Sequence, residues 1–251
     1  MRPYVKSICI LEGFAATAPL RNLPTGNIRI LTNLTYDQAS CNEEARHEIA
    51  GPQISVIGQR GRFSLFTPAA ATRILCVEFF AHTASAFFRE PLAELNEISV
   101  DASDLWLRSG ILAELQRAPD DAAIFNAIQN ELRARLRRDK GLASKLDFLQ
   151  QAILSLSHGK PLSINKFARE KGMHRRTLER LFREHVGLSP AAYSRIHRIT
   201  NAARVIESAE GFAALDYALD HGYYDQAHFN HDFKAIVGLS PTDYRKSLSH
   251  P

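Results

Sequence analysis

A chain of 251 residues with 45% apolar content has material for two ordinary globular cores, which excludes a disordered or low-complexity protein. No run approaches the roughly 18 uninterrupted apolar residues of a membrane span, and Lys6 and Glu12 break the apolar N-terminal segment, so neither a span nor a signal peptide is expected and the location implied is cytoplasmic. The net charge of +4 is unevenly placed: residues 1–141 balance 16 Lys/Arg against 16 Asp/Glu, whereas residues 142–251 carry 15 against 11 and eight of the ten histidines. A polyanionic partner is therefore expected for the C-terminal part.

From Tyr4 to His82 the segments VKSICILEGF, NIRILTNLTY, QISVIGQ, RFSLFTP and TRILCVEFF are short and rich in β-branched and aromatic residues. Turn chemistry separates them at Leu23-Pro24-Thr25-Gly26-Asn27, Gly51-Pro52 and Gln59-Arg60-Gly61. Antiparallel strands in a sandwich or small barrel are the expectation. In the last segment Leu75, Val77, Phe79 and Ala81 alternate with Cys76, Glu78, Phe80 and His82. Glu78, Phe80 and His82 are thus candidates to line an effector cavity, or they form the solvent face of an edge strand.

After His82 the period becomes helical. A short segment spans about 83–89, a helix follows over 104–117 behind Asp101 and Ser103, and another over 119–139 opens at Pro119-Asp120-Asp121. In the last of these Ile124, Ile128, Leu132 and Leu136 recur at intervals of four beside Phe125, a stripe that docks on its own domain or on a second copy of the chain. The boundary falls near Asp139-Lys140-Gly141, and a helix over 142–158 opens the second domain. The domain division is 1–141 and 142–251.

The second domain contains one unit used twice. Leu178, Phe182, Val186, Gly187, Leu188, Ser189, Pro190 and Tyr193 map at a constant offset of 51 onto Phe229, Phe233, Val237, Gly238, Leu239, Ser240, Pro241 and Tyr244. The first unit, about 162–188, begins with Ser163 as an N-cap candidate. It places Ala168 at a helix crossing, Gly172 at a turn, and Leu178, Leu181 and Phe182 inward on a second helix. The second, about 213–239, repeats this with Ala218, Gly222, Phe229 and Phe233, and with Asp225 as the cap. Each has the layout of a helix-turn-helix whose second helix fits the major groove of DNA. A long helix from Pro190, with Ala192, Ile196, Ile199, Ala203 and Ile206 on one side, is expected to tie the units together. The two recognition helices then enter successive major grooves about 34 Å apart.

With the apolar set inward, the first recognition helix presents Arg175, Arg176, Glu179, Arg180 and Arg183. The planar fork of Arg serves both phosphates and the O6/N7 edge of guanine. The second presents Gln226, Ala227, Asn230, His231 and Lys234, where Gln and Asn suit adenine and Lys234 suits a phosphate.

These residues resemble the AraC family of bacterial transcription regulators. The segment 146–246 is similar to that family's whole DNA-binding domain, with Ala168, Leu178, Phe182, Gly222, Asp225, Phe229, Phe233, Gly238, Pro241 and Tyr244 on its characteristic positions, and GYYDQAHFNHDFKAIVGLSPTDYR is the most specific stretch. The resemblance implies base contacts at Arg176, Glu179 and Arg180, and at Gln226, Ala227, Asn230 and His231. Ala227 replaces a frequent Ser, which removes a phosphate contact there. The N-terminal part resembles, more distantly, the family's cupin-like sensor domains. The whole fold is therefore α+β: a β-rich, cupin-like or small-barrel domain ending in helices, then an all-α domain of two helix-turn-helix units. The implied partner is double-stranded DNA, with RNA polymerase, a second copy of the chain and a small-molecule effector left open; no cofactor is implied.

Two alternatives belong to other classes. A cupin-like metalloenzyme needs clustered ligands, but residues 1–141 offer only His47 and His82, without HxH or HxxxH spacing, and Glu43, Glu44 and Glu48 sit in a polar loop. No metal site and no catalytic residue are therefore expected. A thiol redox sensor would use Cys9, Cys41 or Cys76, which lack CxxC spacing. Cys9 and Cys76 fall in apolar strands, and Cys41 lies beside Glu43 and Glu44, which oppose a thiolate.

Overall fold

The computed structural model describes residues 3–13, 19–35, 54–66, 72–102, 110–157, 163–208 and 214–248. Cys41, Glu43, Glu44, His47, Glu48 and Ser103 lie outside these, as does the start of the helix expected from Asp104.

Strands β1 (Val5–Gly13), β3 (Arg29–Asn33), β4 (Ile54–Ile57), β6 (Thr72–Phe79) and β7 (Ser99–Asp101) form one antiparallel sheet in the order β1-β6-β3-β4-β7. Strands β2 (Leu20–Asn22) and β5 (Ser64–Phe66) pair separately as a two-stranded ribbon. The short β2 and β7 carry too few alternating residues to stand out in the sequence. Alternation sends Ile8, Ile10, Ile30, Val56, Leu75, Val77 and Val100 to one face, where they meet Ile124, Ile128, Leu132, Leu142 and Leu146 in a single core. Each fully buried aliphatic or aromatic side chain contributes about 1.5–3 kcal/mol there.

Two short 3₁₀ turns, Ala84–Ala86 and Leu92–Leu95, are followed by α1 (Ile111–Gln116) and α2 (Asp121–Arg135). The carboxylate of Asp120 caps α2 by accepting from Ala123 N at 2.8 Å. The stripe Ile124, Ile128 and Leu132 is buried in the chain's own core, with Phe125 and Leu136 packed against it, so its use in a dimer seam is ruled out. The edge-strand reading of Cys76, Glu78 and Phe80 is also corrected, because β6 is hydrogen-bonded on both sides, by β1 and by β3.

Helix α3 (Lys140–Ser157) serves both parts of the molecule: Leu142 and Leu146 belong to the N-terminal core, whereas Leu149, Ala152, Ile153 and Leu156 pack with the first repeat unit. Helices α4 (Ile164–Glu170), α5 (Arg175–His185), α6 (Pro190–Ser208), α7 (Ala214–Asp220), α8 (Gln226–Val237) and α9 (Pro241–Leu248) follow.

Candidate nucleic-acid interface

In the first unit, α4 and α5 meet over Phe167, Ala168, Leu178 and Phe182, all essentially inaccessible to solvent. Gly172, at φ 63°, makes the turn between them. Ser163 stands before α4 but makes no side-chain cap; its backbone carbonyl instead accepts from Phe167 N. In the second unit, α7 and α8 meet over Ala218, Tyr217, Tyr223, Phe229 and Phe233, with Gly222 at φ 76° in the turn. The ring of Phe229 lies 5.7 Å from those of Tyr217 and Phe233, and the ring of Phe233 lies 5.8 Å from that of Tyr244. The Asp225 carboxylate accepts from His228 N at 2.7 Å and caps α8.

Helix α6 joins the units as its apolar stripe requires. Tyr193, near its start, packs in the first unit, and Ile196, Ile199, Ala203 and Ile206 pack in the second. Polar contacts fix it as well: Ser194 Oγ donates to Leu156 O at 3.2 Å, Tyr217 OH donates to Arg198 O at 2.9 Å, and Arg195 pairs at 2.8 Å with Asp232, a residue 6% exposed on the inner side of α8.

The outward faces of α5 and α8 are open. Arg175, Arg176, Arg180 and Arg183 are exposed on α5, and Gln226, Ala227, His231 and Lys234 are exposed on α8. Glu179 and Asn230 are half-buried. Arg175 Nε donates to Glu179 Oε1 at 2.7 Å, so the arginine cluster holds an internal counter-charge and presents three further guanidinium groups. The geometry suits duplex DNA: two exposed helix faces of hydrogen-bonding side chains, each on a rigid, fully packed unit. Tyr224 is a residue that sequence reasoning passed over. It is 89% exposed in the turn before Asp225.

The candidate effector residues divide. The rings of Phe80 and His82 stack with centroids 5.7 Å apart and wall two cavities, of about 320 and 300 Å³, between the N-terminal sheet and helix α3. The second cavity reaches Tyr193, His197 and Arg204 on α6. Burial lowers the His82 pKa from its ordinary value, against a raising influence from Asp147. Glu78 lines neither cavity. It accepts from Asn27 Nδ2 at 3.0 Å and pairs with Lys6 at 3.1 Å. Burial pushes its carboxyl up, but Asn27, Lys6 and Arg29 together hold it below the ordinary value.

Among the described residues, no group of three or more His, Cys, Asp and Glu could hold a metal ion, and no helix is long and apolar enough to cross a membrane. Cys9 and Cys76, distant in sequence, lie directly opposite one another on β1 and β6. Burial pushes the Cys76 thiol up to about 12, which leaves it protonated and a poor nucleophile.

Comparison with known proteins finds two family matches in the chain. Residues 167–247 match a family described as a helix-turn-helix domain, and residues 1–101 match one described as a domain of unknown function. An HTH-type transcriptional regulator of Haemophilus influenzae is 36% identical over 86 residues, covering 34% of this chain and 28% of its own length. The HTH-type transcriptional activator AarP of Providencia stuartii is 35% identical over 86 residues, covering 34% of this chain and 63% of its own length. The chain thus spans less than two thirds of these curated relatives. Among solved structures, ToxT of Vibrio cholerae aligns over 97% of this chain and 98% of its own at 13% identity and a TM-score of 0.47.

Proposed function

We propose, from the helix-turn-helix domain match at residues 167–247 and the regulators it resembles, that the protein is an AraC-type, sequence-specific transcription regulator that binds double-stranded DNA with both units. The observation that carries this reading is the pair of open faces on α5 and α8, built on repeated interiors and tied by α6. Arg176, Glu179 and Arg180 read bases from the first helix, and Gln226, Ala227, Asn230 and His231 read them from the second. Arg175, Arg183 and Lys234 meet phosphates. Residues 1–141 act as a control domain on the DNA-binding part, with Phe80 and His82 walling the cavity between the sheet and helices α3 and α6 that a small effector would enter.

Selection of bound sequences from random duplex DNA, followed by footprinting, tests the reading. The expected result is one asymmetric site with two protected major grooves separated by about one helical turn. Failure to enrich any sequence would refute it. That these relatives are a transcriptional regulator and a transcriptional activator supports a non-catalytic role.

A further inference from the structure

The two recognition helices end alike, and the N-terminal domain holds both ends. An α-helix leaves its last carbonyls without intrahelical partners and carries partial negative charge there. At the end of α5, Val186 O accepts from Gln59 Nε2 at 3.0 Å and Gly187 O accepts from Asn96 Nδ2 at 2.6 Å. At the end of α8, Val237 O accepts from Arg21 Nη1 at 2.8 Å and Ile236 O accepts from Phe63 N at 2.7 Å. Val186 and Val237 are the same position of the repeat, offset by 51.

The contact is close at both places. Gly187 and Gly238 sit at φ 90° and 83°, the left-handed region that glycine alone enters without strain. A Cβ at 187 would come within 3.0 Å of Asn96 Oδ1 and 3.1 Å of Leu92 O, and a Cβ at 238 would come within 2.2 Å of the Phe63 ring. Arg21 lies 4.2 Å above that ring, stacked on it while it donates to α8. Gln59 is 1% exposed and also donates to Gly26 O at 2.8 Å, so its amide is fixed before it meets α5.

The donors have a common base. Arg21 lies on β2 and Phe63 precedes β5, the two strands of the ribbon. Gln59 follows β4, and Glu97 N donates to its carbonyl at 2.9 Å, which joins it to the segment bearing Asn96. None of these contacts reaches the exposed faces of α5 and α8, whose N-terminal turns remain open.

We infer that Gln59, Asn96 and Arg21 are positioning residues for DNA binding: through them the N-terminal domain supplies the C-terminal caps of both recognition helices and fixes one helix relative to the other. Helix α6 is the first link between the units, and this domain is the second. The inference rests on the DNA-binding reading above.

The test uses the full chain and two duplexes: the complete selected site, and the same site with the half bound by α8 scrambled. Arg21→Ala should weaken binding to the complete site by at least about 5-fold, within the usual range of coupling between sites. It should leave binding to the scrambled duplex unchanged and lose footprint protection over the second half. Arg21→Lys, which keeps a cationic donor, should recover part of the loss. Gln59→Ala combined with Asn96→Ala should also narrow the difference between the two duplexes. Unchanged or tighter binding of the Arg21→Ala and Gln59→Ala/Asn96→Ala variants to the complete site would overturn the inference, and so would equal loss on both duplexes, which marks general destabilisation. If the wild-type chain bound no duplex, the DNA-binding reading itself would fail; wild-type binding with indifferent variants would sink only the positioning role.

Discussion

The two repeat units are alike inside and different outside. Three interior pairs correspond closely, Leu178 with Phe229, Phe182 with Phe233 and Val186 with Val237, and all six are almost wholly buried. Packing density makes such positions intolerant of change in size or polarity. Their exposed positions share only the offset: Arg175 with Gln226, Arg176 with Ala227, Glu179 with Asn230, Arg180 with His231 and Arg183 with Lys234. Apart from the half-buried pair Glu179 and Asn230, these positions are exposed, so packing constrains them little and the surface is free to follow the ligand. The first unit is dominated by guanidinium groups, and the second by neutral hydrogen-bonding side chains. The difference implies stronger anchoring by α5 and more adjustable readout by α8.

The largest effect should come from Arg180→Ala. A bidentate guanidinium on a guanine edge is worth about 1–3 kcal/mol of discrimination. The expected result is therefore roughly a 5- to 160-fold loss on the selected site, with relaxed preference at one base pair. His231→Ala, at the equivalent place in the second unit, should cost less, because one imidazole ring nitrogen reaches a base edge with a single hydrogen bond where the guanidinium fork makes two. Competition binding against a panel of single-base variants measures both. Equal losses for the pair would erase the proposed asymmetry, and a uniform loss on every sequence would move Arg180 to the phosphates.

A smaller effect distinguishes the units in stability. Helix α8 starts from a true side-chain cap, Asp225 to His228 N, whereas α5 starts at His174, which makes no such bond. Removing an N-cap carboxylate costs about 1 kcal/mol. Asp225→Ala should therefore lower the unfolding free energy by that amount, and His174→Ala should leave it nearly unchanged; chemical denaturation of both variants compares them. If His174→Ala destabilised as much, the two starts would be equivalent in a way the hydrogen bonding does not indicate.

Much of this was legible in the sequence because the repeat is written in apolar residues and glycines. Leu178, Phe182, Phe229 and Phe233 announce a helical period, Gly172 and Gly222 announce the turns, and Asp225 announces a cap. The four longer N-terminal strands, β1, β3, β4 and β6, are legible from their short apolar, β-branched segments. What escaped has a physical reason in each case. Arg21, Gln59 and Asn96 are single polar residues in short loops or strands, and nothing local distinguishes a side chain that will cap a helix far along the chain. Cys9 and Cys76 became neighbours through strand register, which no spacing rule encodes. Glu78 looked available in a β-strand pattern, yet Lys6 and Asn27 already satisfy it.

The smallest expected effect concerns charge alone. Lys234 and Arg183 occupy equivalent positions, both exposed, each three residues past the last proposed base-reading residue of its helix. A cation on a phosphate acts by releasing condensed counterions, so its loss reduces the slope of log affinity against log salt by about 0.9, whatever the sequence of the duplex. Lys234→Ala should lower that slope by about this amount and weaken binding nearly uniformly, and Arg183→Ala should match it. Titrations at several salt concentrations read the slope directly. If Lys234→Ala left it unchanged, the second unit would make no ionic contact from this position and the asymmetry between the units would be larger than proposed. If instead the Arg183 variant changed base preference, the guanidinium-rich face of α5 would read sequence along one more turn of helix than α8 does.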